Sequence, residues 1–372
     1  MSDAAPTPRA PRPRALGVRI GGLEPGPENT ITDVSDVRVG HVTVWRDEPE
    51  PPDGRGVART GVTAILPGPA HTLFDAPASA GAAVLNGAGE LTGFLQISEW
   101  GLLETPVYLT STMAVGRVYD GAVSAALAAD ARVGSDNVVI PVVGECDDSW
   151  LSDARTVQVE REDASRAVAA AAAGPVAEGC VGAGAGMTAF DWKAGVGTAS
   201  RVLPELGATL GVLVLANFGA APELRVDGVP IGRMLLPPEA PRPEPAGSCI
   251  VVVATDAPLS SAQLGRIARR AGLGLARAGS VAHHGSGEIF VAFSSSRAPR
   301  AVARERRAVE LLPGSLLDGL FAATVEATEE SVLNALWAAV DTTGRAGRRA
   351  HALPHDDVLR LLEAGDRLQS RP

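Results

Sequence analysis

Cysteine is scarce in this chain: Cys146, Cys180 and Cys249 are the only three in 372 residues. An odd, small number at irregular spacing excludes a disulfide framework and offers no structural zinc pattern. Long apolar runs are missing too. None approaches the roughly 20 residues that a membrane-spanning helix needs, and the N-terminus lacks the apolar core of a secretory signal. The expectation is a cytoplasmic protein with reduced thiols and no membrane partner. Positive charge is in deficit, with 33 Lys and Arg against 43 Asp and Glu and a net charge of −10. The pI is near 5.2. Phosphate backbones are bound by clustered cations, so nucleic acid is not an expected partner.

What is present is an ordinary globular composition, 45% hydrophobic and 20% charged. Residues 1–30 are rich in Pro, Arg and Gly, include "PRAPRPR" at 8–14, and read as a disordered tail. From "ITDVSDVRVGHVTVW" onward, short β-type runs alternate with Gly-rich turns. "GVTAILPG" (61–68), "TPVYLTST" (105–112), "DNVVIPVVG" (136–144) and "ATLGVLVLANFG" (208–219) are strand candidates. Their near-continuous apolar character suits strands covered on both faces. Helical spacing marks 162–174, 260–279, 328–344 and 355–368, the third with Thr328 as N-cap and Glu329 and Glu330 in its first turn. The mixture predicts a layered α/β fold with helices packed on sheets. Residues 219–247 form the longest irregular stretch and end at a serine.

That serine carries the chemistry. In "PRPEPAGSCIVVVATDAP", 241–258, a proline-rich segment runs into an apolar strand, with Gly247 and Ser248 at its mouth. A hydroxyl placed there can attack the preceding carbonyl, convert the amide to an ester and let water split it. Glycine at the acyl position has no Cβ to clash and tolerates unusual backbone angles. The new terminal serine would carry a hydroxyl beside an α-amine of pKa about 7.7–8.0, a base able to take its proton. Gly-Ser pairs are common, and the dipeptide alone reads as an ordinary loop-to-strand junction rather than as a cleavage site.

The wider sequence resembles the DmpA / β-peptidyl aminopeptidase (BapA) family of self-cleaving N-terminal-serine hydrolases. The resemblance is carried by "AGSCIVVVATDAPLSSAQLGRIARRAGLGLARAGS", "TDVSDVRVGHVT", "NGAGELTGF", "VGAGAGMTAFDWKAGVGTASR", "GVLVLANFG", "GSGEIFVAFS" and "VEATEESVLNALWAA", in the family's order over most of the chain. It implies a four-layer αββα sandwich of the DmpA/ArgJ-like type, with residues 31–372 as a single hydrolase domain. It also implies self-cleavage after Gly247 into an α chain, 1–247, and a β chain, 248–372. The implied activity is hydrolysis of amides, short peptides or esters with a free amino terminus, without metal or cofactor, in a homo-oligomer, a tetramer of αβ units. By the same resemblance Ser248 matches the nucleophile and Asn217 the oxyanion-hole amide. Ser286 and Glu288 match a pair that orients the α-amine and relays protons. As i and i+2 on a strand they share a face, so both are expected to point into one site. Glu145 matches a carboxylate suited to a substrate ammonium.

This chain departs from the family at "GECDDSWLSD", 144–153. Asp147 stands where the family often has Tyr or Trp, which removes an aromatic hydroxyl and adds a carboxylate beside Glu145, counted here with the substrate-binding residues. An ornithine-acetyltransferase-like acyltransferase is the enzymatic alternative, disfavoured by serine in place of threonine. A non-catalytic scaffold is the other alternative. "GCVGAGAGMTAF" lacks the context and spacing of a dinucleotide fingerprint and reads as a place of close backbone approach. His283–His284 read as loop residues, His41 as a satisfied strand histidine, and Cys249 as core.

Overall fold

The computed structural model describes residues 11–235, 247–297 and 308–368. Its main strands are β1 (Arg38–Asp47), β2 (Val57–Leu66), β3 (Ala78–Gly87), β4 (Leu102–Leu103), β5 (Val107–Ser111), β6 (Val142–Cys146), β7 (Thr188–Ala189), β8 (Trp192–Lys193), β9 (Val196–Leu203), β10 (Ala208–Asn217), β11 (Ser248–Thr255) and β12 (Gly287–Ser294). The helices are α1 (Phe94–Trp100), α2 (Val115–Ala129), α3 (Glu162–Ala169), α4 (Ile231–Met234), α5 (Ser261–Ala278), α6 (Leu317–Trp337) and α7 (His355–Ala364). One sheet runs β1-β2-β5-β6 and the other β4-β3-β12-β11-β10-β9.

Side-chain alternation builds the layers. In β11, Cys249, Val251 and Val253 join the core that includes Leu264 and Ile267 of α5 and Ala327 and Leu336 of α6. Ile250, Val252 and Ala254 point the other way, to Ile65, Leu109 and Val142 of the first sheet. The outer face of that sheet meets Val118 and Ala122 of α2 and Ala164 and Ala167 of α3. The order is helix, sheet, sheet, helix. β11 is buried along its whole length, as a strand covered on both faces must be, and this accounts for its unbroken apolar run.

Several expectations need correction. The chain from 11 to 30 is no loose tail: Val18 and Ile20 are buried, Arg12 pairs with Glu178 at 2.8 Å and Arg14 with Glu330 at 2.7 Å. Its arginines find buried carboxylates, which composition alone does not reveal; residues 1–10 lie outside the described residues. Thr328 is not an N-cap, because α6 begins at Leu317 and runs through it. Glu329 and Glu330 look like first-turn acids but are buried ion-pair partners, Glu329 of Arg277 at 2.5 Å and Glu330 of Arg14 and Arg201. The strand expected over 136–144 is confined to Val142–Cys146, and α3 stops at Ala169. Of the long irregular stretch, residues 236–246 lie outside the described residues.

Arg201 is fully buried and ties the layers to the N-terminal segment. It donates to Glu330 at 2.7 Å, Glu326 at 3.1 Å and the Ile20 carbonyl at 2.7 Å. Burial works against the Glu330 charge, yet Arg14 and Arg201 hold that carboxyl below its ordinary value. Replacing Arg201 by Met should destabilise the fold by about 3–5 kcal/mol, because a buried acid loses its partner. A melting temperature within a degree of wild type would contradict this.

Asp148 follows β6 and is also buried. Burial, with Asp147 and Glu145 adding repulsion, pushes its pKa up to about 7. A folded pKa above the unfolded value of about 3.9 means that the folded state holds the proton more tightly. That contribution is complete at acid pH and is lost as pH rises through about 7. The melting temperature of the wild type should therefore fall between pH 5 and pH 8 by more than that of Asp148→Asn. Parallel curves would remove Asp148 as the cause.

Candidate active site

Strand register assembles the site. β10 runs antiparallel to β11 and sets Asn217 opposite Ser248. β11 runs parallel to β12, with α5 as the crossover, and sets Ser248 opposite Gly287. Three strands thus bring Asn217, Ser248 and the Ser286–Glu288 segment into one row. Ser248 is buried, and by alternation with Ile250 it faces the space between the sheets, at its mouth. Its Oγ accepts a hydrogen bond from the Asp147 backbone N–H at 3.3 Å.

Asn217 is held at both ends. Its Oδ1 accepts from the Thr188 N–H at 3.0 Å and its Nδ2 donates to the Asp147 carbonyl at 2.9 Å. A backbone N–H can only donate, so the amide oxygen must face Thr188 and the NH₂ must face Asp147, the residue whose own N–H donates to Ser248. The Gly247 carbonyl oxygen accepts from the Gly287 N–H at 3.2 Å. The carbonyl of the candidate scissile bond therefore already has a donor where charge would develop in an attack.

Ser286 and Glu288 do share a face, and the Ser286 hydroxyl donates to Glu288 Oε1 in a short hydrogen bond. That face is the one opposite Ile289, shared with Cys249 rather than with the Ser248 hydroxyl. The pair meets the Gly247 side of the bond. A Cβ on Gly247 would sit 2.9 Å from Ser286 Oγ, which is why glycine fits there. Burial raises the Glu288 pKa, opposed by the Ser286 hydrogen bond. Its Oε2 has no hydrogen-bond partner among the described residues.

Glu145 comes from β6 of the other sheet, so the cleft straddles both sheets. Oε1 accepts from the Glu90 N–H at 2.9 Å and Oε2 from the Thr112 hydroxyl. Burial raises its pKa, with those two hydrogen bonds opposing. Glu145, Thr112, Gly89, Gly247 and Ser248 line one cleft of about 480 Å³. Asp147 borders it as well, but its Oδ1 accepts from the Ser149 N–H at 2.8 Å, closing a turn on itself. Its backbone is what touches Ser248 and Asn217. Cys146 is fully buried and does not line the cleft, and Cys249 is core as expected.

Residue-type reasoning missed four side chains or N–H groups. Asn86 Nδ2 donates to the carbonyls of His283, His284 and Ser286, at 2.9, 3.2 and 2.5 Å, and so fixes the loop that delivers Ser286. Thr112 and Glu90 hold Glu145, and Thr188 holds Asn217. Asn86 and Glu90 sit inside "NGAGELTGF" and Thr188 inside "VGAGAGMTAFDWK", but nothing in their type or spacing singles them out. The glycine-rich stretch behaves as read: a Cβ on Gly184 would lie 2.5 Å from Gly179 O and one on Gly186 2.1 Å from Arg59 O.

Comparison with known proteins gives the family. Residues 29–350 match Peptidase family S58. The chain is 42% identical to the β-peptidyl aminopeptidase BapA of Sphingosinicella microcystinivorans, over 96% of this chain and 93% of that one. It superposes on a β-aminopeptidase from Burkholderia sp. with a TM-score of 0.87 at 42% identity, covering 97% of this chain and all (100%) of the other. The L-aminopeptidase D-Ala-esterase/amidase of Ochrobactrum anthropi, described as a variant of the Ntn hydrolase fold, gives a TM-score of 0.87 at 36% identity, with 97% and 100% covered. The chain belongs to peptidase family S58 and is an aminopeptidase or amidase.

Proposed function

We propose that the chain cuts itself between Gly247 and Ser248 and then hydrolyses amides, short peptides or esters that carry a free amino group, with the new N-terminal Ser248 as nucleophile. The observation that carries this reading is the row Asn217–Ser248–Gly287, set by backbone pairing. In the processing step Ser248 Oγ attacks the Gly247 carbonyl carbon. The C–N bond breaks, a C–O ester forms, and the hydroxyl proton ends on the freed amine. Water then hydrolyses the ester, leaving a Gly247 carboxylate and a terminal Ser248. The Gly287 N–H supports this step by donating to the Gly247 oxygen.

In turnover the same hydroxyl attacks the substrate carbonyl and its proton passes to the α-amine of Ser248. The leaving amine or alcohol takes that proton, and water resolves the acyl-enzyme. Asn217 Nδ2, opposite Ser248 across the strand pair, and the Asp147 N–H, which donates to the Ser248 hydroxyl, hold the developing oxyanion. Glu288, with Ser286 beside the cut bond, orients the α-amine. Glu145, buried and already held by Thr112 and the Glu90 N–H, receives the substrate ammonium across the cleft. The amino group and the scissile carbonyl of one small substrate are thereby held at two fixed points.

Purified protein should run as pieces of 247 and 125 residues (372 − 247 = 125), the second beginning at Ser248. Ser248→Ala should stay in one piece and show no turnover; processing that persists in that variant would refute the assignment. Glu145→Gln should raise KM for an amino-acid amide about 10–100-fold, since a hydrogen bond to a charged group contributes about 1.5–3 kcal/mol. The effect on kcat should be much smaller. A KM equal to that of wild type would move the ammonium site elsewhere.

A further inference from the structure

Lys193 is the single lysine of the sequence and is fully buried. Its ammonium donates to three backbone carbonyls: Gly184 at 3.2 Å, Met187 at 2.9 Å and Ala194 at 2.6 Å. An ammonium has three N–H groups, and each finds an acceptor on the glycine-rich segment or its continuation. A buried cation is costly unless it is satisfied in this way, so its presence asks what the arrangement does.

Lys193 stands in the β7–β8 hairpin opposite Thr188. Neither N–H of that pair serves the hairpin. That of Lys193 donates to the His351 carbonyl at 2.7 Å, and that of Thr188 donates to Asn217 Oδ1 at 3.0 Å. The turn itself is strained, with Phe190 at φ 50° and Asp191 at φ 66°, a region that side chains other than Gly and Asn or Asp rarely adopt. It is held against the end of β10: the Phe190 N–H donates to Phe218 O at 2.8 Å and the Ala221 N–H to Asp191 Oδ2 at 2.9 Å. The rings of Phe190 and Phe218 meet edge to face at 5.2 Å.

We infer that Lys193 is a positioning residue for the oxyanion donor: by fixing the carbonyls on either side of Thr188 it holds the Thr188 N–H on Asn217 Oδ1, and so holds the Asn217 NH₂ toward Asp147, the residue whose N–H donates to Ser248. An amide released from Thr188 can rotate by half a turn and present its oxygen to the developing charge, turning attraction into repulsion. The inference rests on the role proposed above for Asn217.

The test compares Asn217→Ala, Lys193→Met, Thr188→Pro and the two double variants with Asn217→Ala. Thr188→Pro deletes the one N–H, and Met187 before it lies at φ −81°, ψ 149°, an extended conformation that a following proline accepts. It therefore keeps the test open should Lys193→Met fail to fold. The readouts are the rate of precursor conversion and, in the processed fraction, kcat and KM for an amino-acid amide. Asn217→Ala should lower kcat about 10²–10³-fold. Lys193→Met and Thr188→Pro should lower kcat at least tenfold and leave KM within about twofold. Each double variant should be no slower than Asn217→Ala to within about threefold, because both changes act through one amide. Losses that multiply in the double variants, or a Thr188→Pro protein with wild-type kcat, overturn the positioning role. An Asn217→Ala protein with wild-type kcat instead overturns the reading of Asn217 itself.

Discussion

Everything at this site depends on the alignment of three neighbouring strands. Asn217, Ser248 and Gly287 are level because β10, β11 and β12 share one hydrogen-bond register. A slip of one residue would turn Ser248 to the helix side and Cys249 to the cleft, since side chains alternate along a strand. The apolar alternation of β11 forbids that slip: Ile250, Val252 and Ala254 would have to leave the core between the sheets. The packing that stabilises the fold therefore also fixes Ser248, the proposed nucleophile, and no flexible loop has to find its place. The parallel pairing of β11 with β12 adds the acid, delivered by the crossover through α5.

The electrostatics follow from the site lying at the edge of a dry interior. Burial raises the pKa of Glu145, Glu288 and Asp148 together. Carboxyls poised in this way cluster at functional sites because proton transfer and ion recognition both gain from low dielectric. Glu145 and Glu288 nonetheless differ in position. The first faces the open cleft between the sheets, while the second lies across the strand row, on the Gly247 side. The peptide that joins Gly247 to Ser248 separates them.

Ser248 as candidate nucleophile was legible only through the wider resemblance, since Gly-Ser before "CIVVVAT" taken alone reads as an ordinary loop-to-strand junction. The layered fold was legible more directly: doubly covered strands read as unbroken apolar runs. What stayed hidden was pairing over long separations. Glu330 finds Arg14 from 316 positions away, and no local pattern distinguishes such an acid from a helix-capping one; hence the misplaced start of α6 and the supposed tail. Asp147 was legible only in part. Its side chain borders the cleft with Glu145, but type alone did not reveal that its backbone N–H and carbonyl touch Ser248 and Asn217. Residue type reports side chains, and the chemistry here draws heavily on main-chain groups.

The sequestered Lys193 has an outward consequence. With 33 basic residues of which one alone is a lysine, and that one sealed in the interior, the surface presents guanidinium groups and no side-chain primary amine. Amine-directed acylation, fluorescent tagging and bifunctional cross-linking therefore find only chain ends on the folded protein. Under native conditions the stoichiometry of such labelling becomes a count of free termini.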